Sequence, residues 1–385
     1  MQSLPRDVFS EDHEIFRKQV RRFIAAEIEP KIAEWNERGM SDRESWRKFG
    51  REGYLGANQP VEYGGSAAGF LYDAVVMEEM ARVRAHAMMT SLHSDIVLPY
   101  ILDYGTEEQK KRYVPGCVSG DIILGIAMTE PGTGSDLANI QTRALRDGDD
   151  YVLNGAKTFI SNGQIGDLFV VACKTDPDAQ PPHKGVSLIL VESDTPGFVR
   201  GRKLGKLGLK GQDTSELFFE DCRVPVGNLL GEPGQGFKML MEELQQERLT
   251  LAIQALASCR RSFEDTLDYV KQRKAFGRPI GTFQNSQFKL AELATELEVG
   301  QAFVDRLMKL HVEGAEIVAG VSMAKWWTTA LQRRLTAECL QLHGGYGFME
   351  EYPISSDYAD AAIGTIYAGT NEIMKLIIAR QLGLG

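Results

Sequence analysis

Three carboxylates, Glu242, Glu243 and Glu247, crowd the nine residues Met241-Glu242-Glu243-Leu244-Gln245-Gln246-Glu247-Arg248-Leu249, directly after a bend containing Gly231, Gly234 and Gly236. A carboxylate serves as a general base when its surroundings raise its basicity, and the candidate here is Glu247, held beside Arg248. The stretch opens a long helical pattern, so an ordinary account competes. The positive end of a helix dipole favours acidic residues in the first turn, which would leave all three solvated. On pattern alone the ordinary account is the stronger, and the rest of the chain must supply a reason to prefer catalysis.

Other stretches suit ligands with phosphates or flat rings. Thr129-Glu130-Pro131-Gly132-Thr133-Gly134-Ser135-Asp136 is dense in glycine and hydroxyls, so its backbone amides can approach an anion or a flavin edge. It reads equally as a plain turn, and it is no dinucleotide fingerprint, because Leu137 replaces the third glycine. Gly155-Ala156-Lys157-Thr158 lacks the glycine before lysine that a P-loop needs. Arg273-Lys274-Ala275-Phe276-Gly277-Arg278-Pro279 reads first as a helix stop, with a diphosphate-binding arginine as the alternative. Gln341-Leu342-His343-Gly344-Gly345-Tyr346-Gly347-Phe348 divides the same way between a helix end and a cofactor turn, with His343 structural. No Gly-x-Ser-x-Gly elbow, His-Glu-x-x-His helix or EF-hand loop is present, and the six histidines are scattered.

The elements that must position these residues change character twice. Residues 1–121 read as an all-α domain: Ser10 starts a helix with Ile15, Phe16, Val20, Phe23, Ile24 and Ile28 on one face, and Ser41/Glu44 and Thr106/Gln109 have capping-box spacing. Residues 122–232 alternate short apolar runs with the turn dipeptides Asp147-Gly148, Asn154-Gly155 and Asn162-Gly163, which predicts a small antiparallel barrel or sandwich. Residues 233–385 return to helical periodicity. Their stripes include Leu251, Ala255, Cys259, Phe263; Leu290, Leu293, Leu297, Val304; Ile317, Val321, Ala324, Leu331; and a short terminal helix with Ile373, Ile377 and Ile378. Four such helices predict an antiparallel bundle.

Composition sets outer bounds. The 385 residues suit two or three domains, and 43% hydrophobic with 25% charged residues describes a globular chain. A net charge of -10 speaks against a nucleic-acid partner. Five separated cysteines predict reduced thiols. No apolar run reaches the ~18 residues of a membrane span, and the acidic N-terminus is unlike a transit peptide. The chain reads as cytoplasmic, or as a processed protein of the mitochondrial matrix.

Taken in order, Thr129 to Asp136, Asn154 to Lys157, Arg273 to Gly277, Gln341 to Gly347 and Gly369-Thr370-Asn371-Glu372 resemble the motifs of the acyl-CoA dehydrogenase family over essentially the whole chain. The resemblance implies an α-helical domain, a β-barrel and a four-helix bundle, assembled as a homotetramer with FAD. It implies α,β-dehydrogenation of an acyl-CoA to the trans-2-enoyl-CoA, with electrons passed to an electron-transfer flavoprotein. Most members carry their catalytic Glu directly before the Gly-Thr that matches Gly369-Thr370; here that position is Ala368. In the long-chain and isovaleryl-CoA branches the base lies instead at the position matching Glu247, so Ala368 and Glu247 agree.

By the same resemblance, Ile126, Ala127, Met128, Thr129, Gly134, Ser135, Phe159, Ile160 and Ser161 match contacts to the flavin. Arg273, Phe276, Gln284, Gln341, Leu342, His343, Gly344 and Gly345, with Thr370, Asn371 and Glu372, match residues that receive the rest of FAD, in part from a neighbouring subunit. Ser135, Gln245, Arg248, Ala368 and Gly369 match positions along the substrate, and the Ala368 amide can still polarise the thioester. The leading expectation is a medium- to long-chain substrate. The alternatives are a branched short-chain or terpenoid acyl-CoA, an oxygen-using oxidase of the same fold, and a catalytically silent acyl-CoA-binding protein.

Overall fold

Thr106 and Gln109 satisfy each other's backbone amides at 3.3 and 2.8 Å, the reciprocal cap that their spacing predicts. The helix they start belongs to the N-terminal third of the computed structural model, which describes residues 4–384. That third contains α1 (Glu11–Glu27), α2 (Ile32–Arg38), α3 (Arg43–Arg51), α4 (Phe70–Arg82), α5 (Leu98–Tyr104) and α6 (Glu107–Ser119). A π-helical turn over Leu92–Val97 feeds α5. The cap predicted at Ser41 moves by one residue: Asp42 accepts the Ser45 amide at 2.8 Å, while the Ser41 hydroxyl accepts from the Trp46 indole at 3.0 Å. Asp caps as well as Ser, so the residue placed to reach that amide takes the role.

Past Gly120 the chain forms β1 (Leu124–Ala127), β2 (Arg143–Asp147), β3 (Asp150–Ser161), β4 (Leu168–Lys174), β5 (Val186–Glu192), β6 (Phe198–Lys203), β7 (Thr214–Pro225) and β8 (Leu229–Leu230). These make one sheet in the order β6-β7-β3-β2-β4-β5-β8, with β1 paired to β4. The sheet is not a closed antiparallel barrel. Its path is open from β6 to β8, and β4 runs parallel to both β1 and β2. Parallel neighbours need a long crossover, which the 12-residue β3 supplies; hairpin spacing alone does not reveal it.

Asn154-Gly155 is a second correction, because β3 continues through it. The register against β7 shifts between Leu153 and Gly155, and a Cβ on Gly155 would lie 2.5 Å from the Thr142 hydroxyl. Glycine serves a bulge and a close approach here, not a hairpin. Asp147-Gly148 does turn β2 into β3.

The C-terminal third comprises α7 (Gly236–Gln272), a hairpin of β9 (Lys274–Ala275) and β10 (Arg278–Pro279), α8 (Gln284–Val312), α9 (Val318–His343), α10 (Pro353–Gly364) and α11 (Asn371–Gln381). Helix α10 is additional to the four expected. The long helix α7 is shared by two cores. Its Met239 and Leu240 pack with Val97 to Ile101, β4 and β5, whereas Leu249 to Phe263 pack with Phe70, Ala74 and Met77 of α4 and with α8 and α9. Glu247 lies between the two cores, where helical domain, sheet and bundle meet. All five cysteines are buried and unbridged. Among the described residues no helix is long and apolar enough to cross a membrane.

Candidate active site

Helix α7 starts at Gly236, so Glu247 lies three turns inside it, and the first turn carries no acidic residue. The dipole effect fades within the first turn and cannot account for the carboxylates. Glu247 is 3% exposed, and the Tyr100 hydroxyl of α5 donates to its Oε1 at 3.0 Å. Burial pushes its pKa up to about 7 against the opposing pull of Tyr100 and Arg248. That places a base close to neutrality. Arg248 is buried too, and its Nε has no hydrogen-bond partner in the protein. A buried orphan donor is costly, so this nitrogen is suited to a ligand oxygen.

The neighbouring acidic residues divide. Glu242 is exposed and accepts from the Tyr104 hydroxyl at 3.0 Å, close to the solvated reading. Glu243 departs from it: burial, and then the carboxyl of Asp103, push its pKa up to about 8. The two glutamines brace α7. Gln245 accepts the Ile317 amide at 2.9 Å, and Gln246 donates to the Asp95 carbonyl at 2.7 Å and meets His311 at 2.9 Å.

The turn between α10 and α11 carries Ala368 at φ +49 and Gly369 at φ +86. A left-handed alanine costs about 1–2 kcal/mol, so surrounding contacts must hold it. Thr370 caps α11 by accepting the Ile373 amide at 3.3 Å. The buried Lys325 of α9 donates to the Gly369 carbonyl at 2.6 Å and to Asn371 Oδ1 at 3.2 Å. Sequence reasoning missed Lys325. The available signal is its spacing, since it lies four residues after buried Val321 on the inward face of the helix. Glu372 remains exposed.

The strand motifs are pinned to each other. Lys157, 1% exposed, donates to Glu130 Oε1 and to the Met128 carbonyl, both at 2.9 Å. Glu130 also accepts the Gln141 and Thr142 amides at 2.6 and 2.9 Å, and Thr129 accepts the Thr158 amide at 2.9 Å. The loop that holds Gly134 and Ser135 is thereby tied to the strand that holds Phe159, Ile160 and Ser161. Ile126 and Ala127 are fixed in β1 against Val170 and Val171. Phe159 is 67% exposed at φ +60, an aromatic ring turned to solvent beside a second bulge.

A separate cavity of about 550 Å³ is lined by Tyr269, Arg273 and Gln341 to Tyr346. His343 is buried there, bonded through Nδ1 to the Cys339 carbonyl at 2.8 Å and stacked on Tyr269 at 4.2 Å, which fits a structural role. Phe276 projects from the β9–β10 hairpin 95% exposed, and Gln284 opens α8. The two places suit different parts of FAD. Phe159 offers a face to a planar ring, while Arg273 and the open backbone of Gly344 and Gly345, where a Cβ would meet nothing within 4 Å, suit a diphosphate. Among the described residues no group of His, Cys, Asp and Glu could hold a metal ion.

Comparison with known proteins covers the whole chain. Profiles for the N-terminal, middle and C-terminal domains of acyl-CoA dehydrogenase match residues 10–121, 125–222 and 234–383. The mitochondrial long-chain specific acyl-CoA dehydrogenase of Mus musculus is 49% identical over 377 residues, 98% of this chain and 88% of that protein. The mitochondrial isovaleryl-CoA dehydrogenase of Pongo abelii is 36% identical over 96% of this chain and 88% of its own length. The crystal structure of an acyl-CoA dehydrogenase from Geobacillus kaustophilus superposes with a TM-score of 0.97 at 54% identity, covering 98% of this chain and 100% of that one.

Proposed function

The chain belongs to the acyl-CoA dehydrogenase family, and from that premise we propose that it dehydrogenates a medium- to long-chain acyl-CoA to the trans-2-enoyl-CoA and passes the electrons to an electron-transfer flavoprotein. FAD is the cofactor of the family and, bound here, would supply the acceptor for the hydride of the β-carbon. The observation that carries the assignment of roles is the buried Glu247 carboxyl with its pKa near 7, in a chain whose other family position for a base is Ala368.

Glu247 removes the α-proton. That proton is far less acidic than a carboxylic acid, and lifting the Glu from ~4.3 toward 7 narrows the gap from the base side. Hydrogen bonds to the thioester oxygen narrow it from the other side, each worth roughly 3–4 kcal/mol in comparable sites. The Ala368 amide is one such donor, and the unpartnered Arg248 and exposed Ser135 lie along the path assigned to CoA. Thr129, Phe159 and Ser161 flank the flavin. Arg273, Phe276, Gln284 and Gln341 to Gly345 receive the diphosphate and adenosine. The wholly exposed Phe276 favours sharing that site between subunits of a homotetramer.

The long-chain preference rests on identity: the long-chain relative is 49% identical and the isovaleryl relative 36%. Anaerobic titration with acyl-CoAs of increasing length, read by bleaching of the flavin band, tests this. Fastest bleaching is expected with medium and long chains, and a marked preference for isovaleryl-CoA would overturn it.

A further inference from the structure

Lys325 is an ammonium group inside the protein that faces two neutral oxygens, the Gly369 carbonyl and Asn371 Oδ1. Burying a cation without a bonded carboxylate is unfavourable, so a chain carries one where its field or its reach is needed. Its surroundings deepen the puzzle. Arg248, another buried cation, acts on it from α7, and both burial and Arg248 push the Lys325 pKa down, to about 8, with only the exposed Glu372 of α11 opposing. Arg248 and Lys325 lie near enough to repel each other, and Lys325 reaches the turn that carries Ala368.

The turn itself needs an anchor. Ala368 is held in a left-handed conformation, and Gly369, also left-handed, sits so close to Met374 that a Cβ would come within 2.8 Å of its methyl. Asn371 is fixed to α9 by its own bonds to the Trp326 carbonyl at 3.2 Å and to the Thr329 hydroxyl at 3.1 Å. Lys325 completes this frame from the inside by gripping the carbonyl of Gly369, the residue that follows Ala368.

Resting on the function proposed above, we infer that Lys325 is a positioning residue for the reaction: it fixes the Ala368-Gly369 turn so that the Ala368 amide points at the thioester oxygen, and its charge favours the enolate that develops there. Such a residue acts on the transition state more than on substrate binding. In this chain the turn carries no base, so holding the amide is the task left to it.

The test uses the FAD-loaded enzyme and Lys325→Met, a neutral side chain of similar length. Two readouts are taken: the rate of anaerobic flavin reduction by palmitoyl-CoA, and the red shift of a bound 4-thia-trans-2-enoyl-CoA, whose absorption reports polarisation of its thioester carbonyl. The expected result is a fall in reduction rate of 100-fold or more, loss of most of the red shift, and a change in dissociation constant below about threefold. Lys325→Gln, which keeps a donor without the charge, is expected to fall between Met and wild type, and it stands in if the methionine variant does not fold. A flavin-loaded variant of either kind with the wild-type rate and full red shift would overturn the inference. Glu247→Gln separates this from failure of the proposed function, because it is expected to lose reduction yet keep the red shift. If no acyl-CoA bleaches the wild-type flavin, the proposed function itself fails.

Discussion

The Tyr100 hydroxyl donates to the Glu247 carboxylate at 3.0 Å where both side chains are buried. A hydrogen bond to the charged form of an acid opposes the effect of burial, so Tyr100 keeps the base from drifting too high to ionise. The π-helical turn over Leu92–Val97 leads directly into α5, the helix that carries Tyr100.

Tyr100→Phe should therefore raise the pKa of the base. The base must be ionised to act, so activity rises as pH climbs through about 7 in the native enzyme. A hydrogen bond to a charged group is worth about 1.5–3 kcal/mol, or roughly 1–2 pH units. The acid limb of the kcat/KM profile is expected to move up by about that amount, with the greatest loss below pH 7. An unmoved limb would show that the bond does not set the basicity.

Lys157→Met should destabilise the protein and loosen FAD together. It leaves Glu130 buried without its cation, a defect that costs about 3–5 kcal/mol in comparable pairs. The lower midpoint in urea and faster FAD loss are expected to be partly relieved by adding Glu130→Gln, which removes the stranded charge. Equal loss in the single and double variants would contradict this account of the pair.

Glu243 offers a test by stability. Its pKa is raised by burial and by Asp103, so the folded state favours the protonated form. The stabilisation from that proton is complete below the unfolded pKa of ~4.3 and is lost as pH rises through about 8. Glu243→Gln should gain stability relative to wild type across that window, on the order of 1–2 kcal/mol at pH 9, and change little at pH 4. A gain independent of pH would remove the carboxyl pair as its cause.

The sequence makes the helical thirds and their caps readable because each rests on local spacing: Thr106 with Gln109, the stripe from Leu251 to Phe263, the break at Gly120. The sheet is read less well because its pairing is non-local. Asn154-Gly155 has the composition of a hairpin, and only the approach of Thr142 from elsewhere in the sheet makes it a bulge. At the site, Glu247 stands out through the company of Ala368 and the family's motifs. Tyr100 and Lys325 do not, since an isolated tyrosine and a lysine on an inward face become meaningful only once α5, α7 and α9 are packed. Glu243 looks identical to Glu242 in the sequence and differs in its burial and in facing Asp103.

The central claim is that Glu247 takes the α-proton, and anaerobic stopped-flow reduction of Glu247→Gln by palmitoyl-CoA tests it most directly. The variant is expected to bind FAD and thioester like the wild type while flavin bleaching slows by roughly 100- to 10,000-fold, the scale on which a positioned general base acts. Bleaching at the wild-type rate would show that the proton leaves by another route.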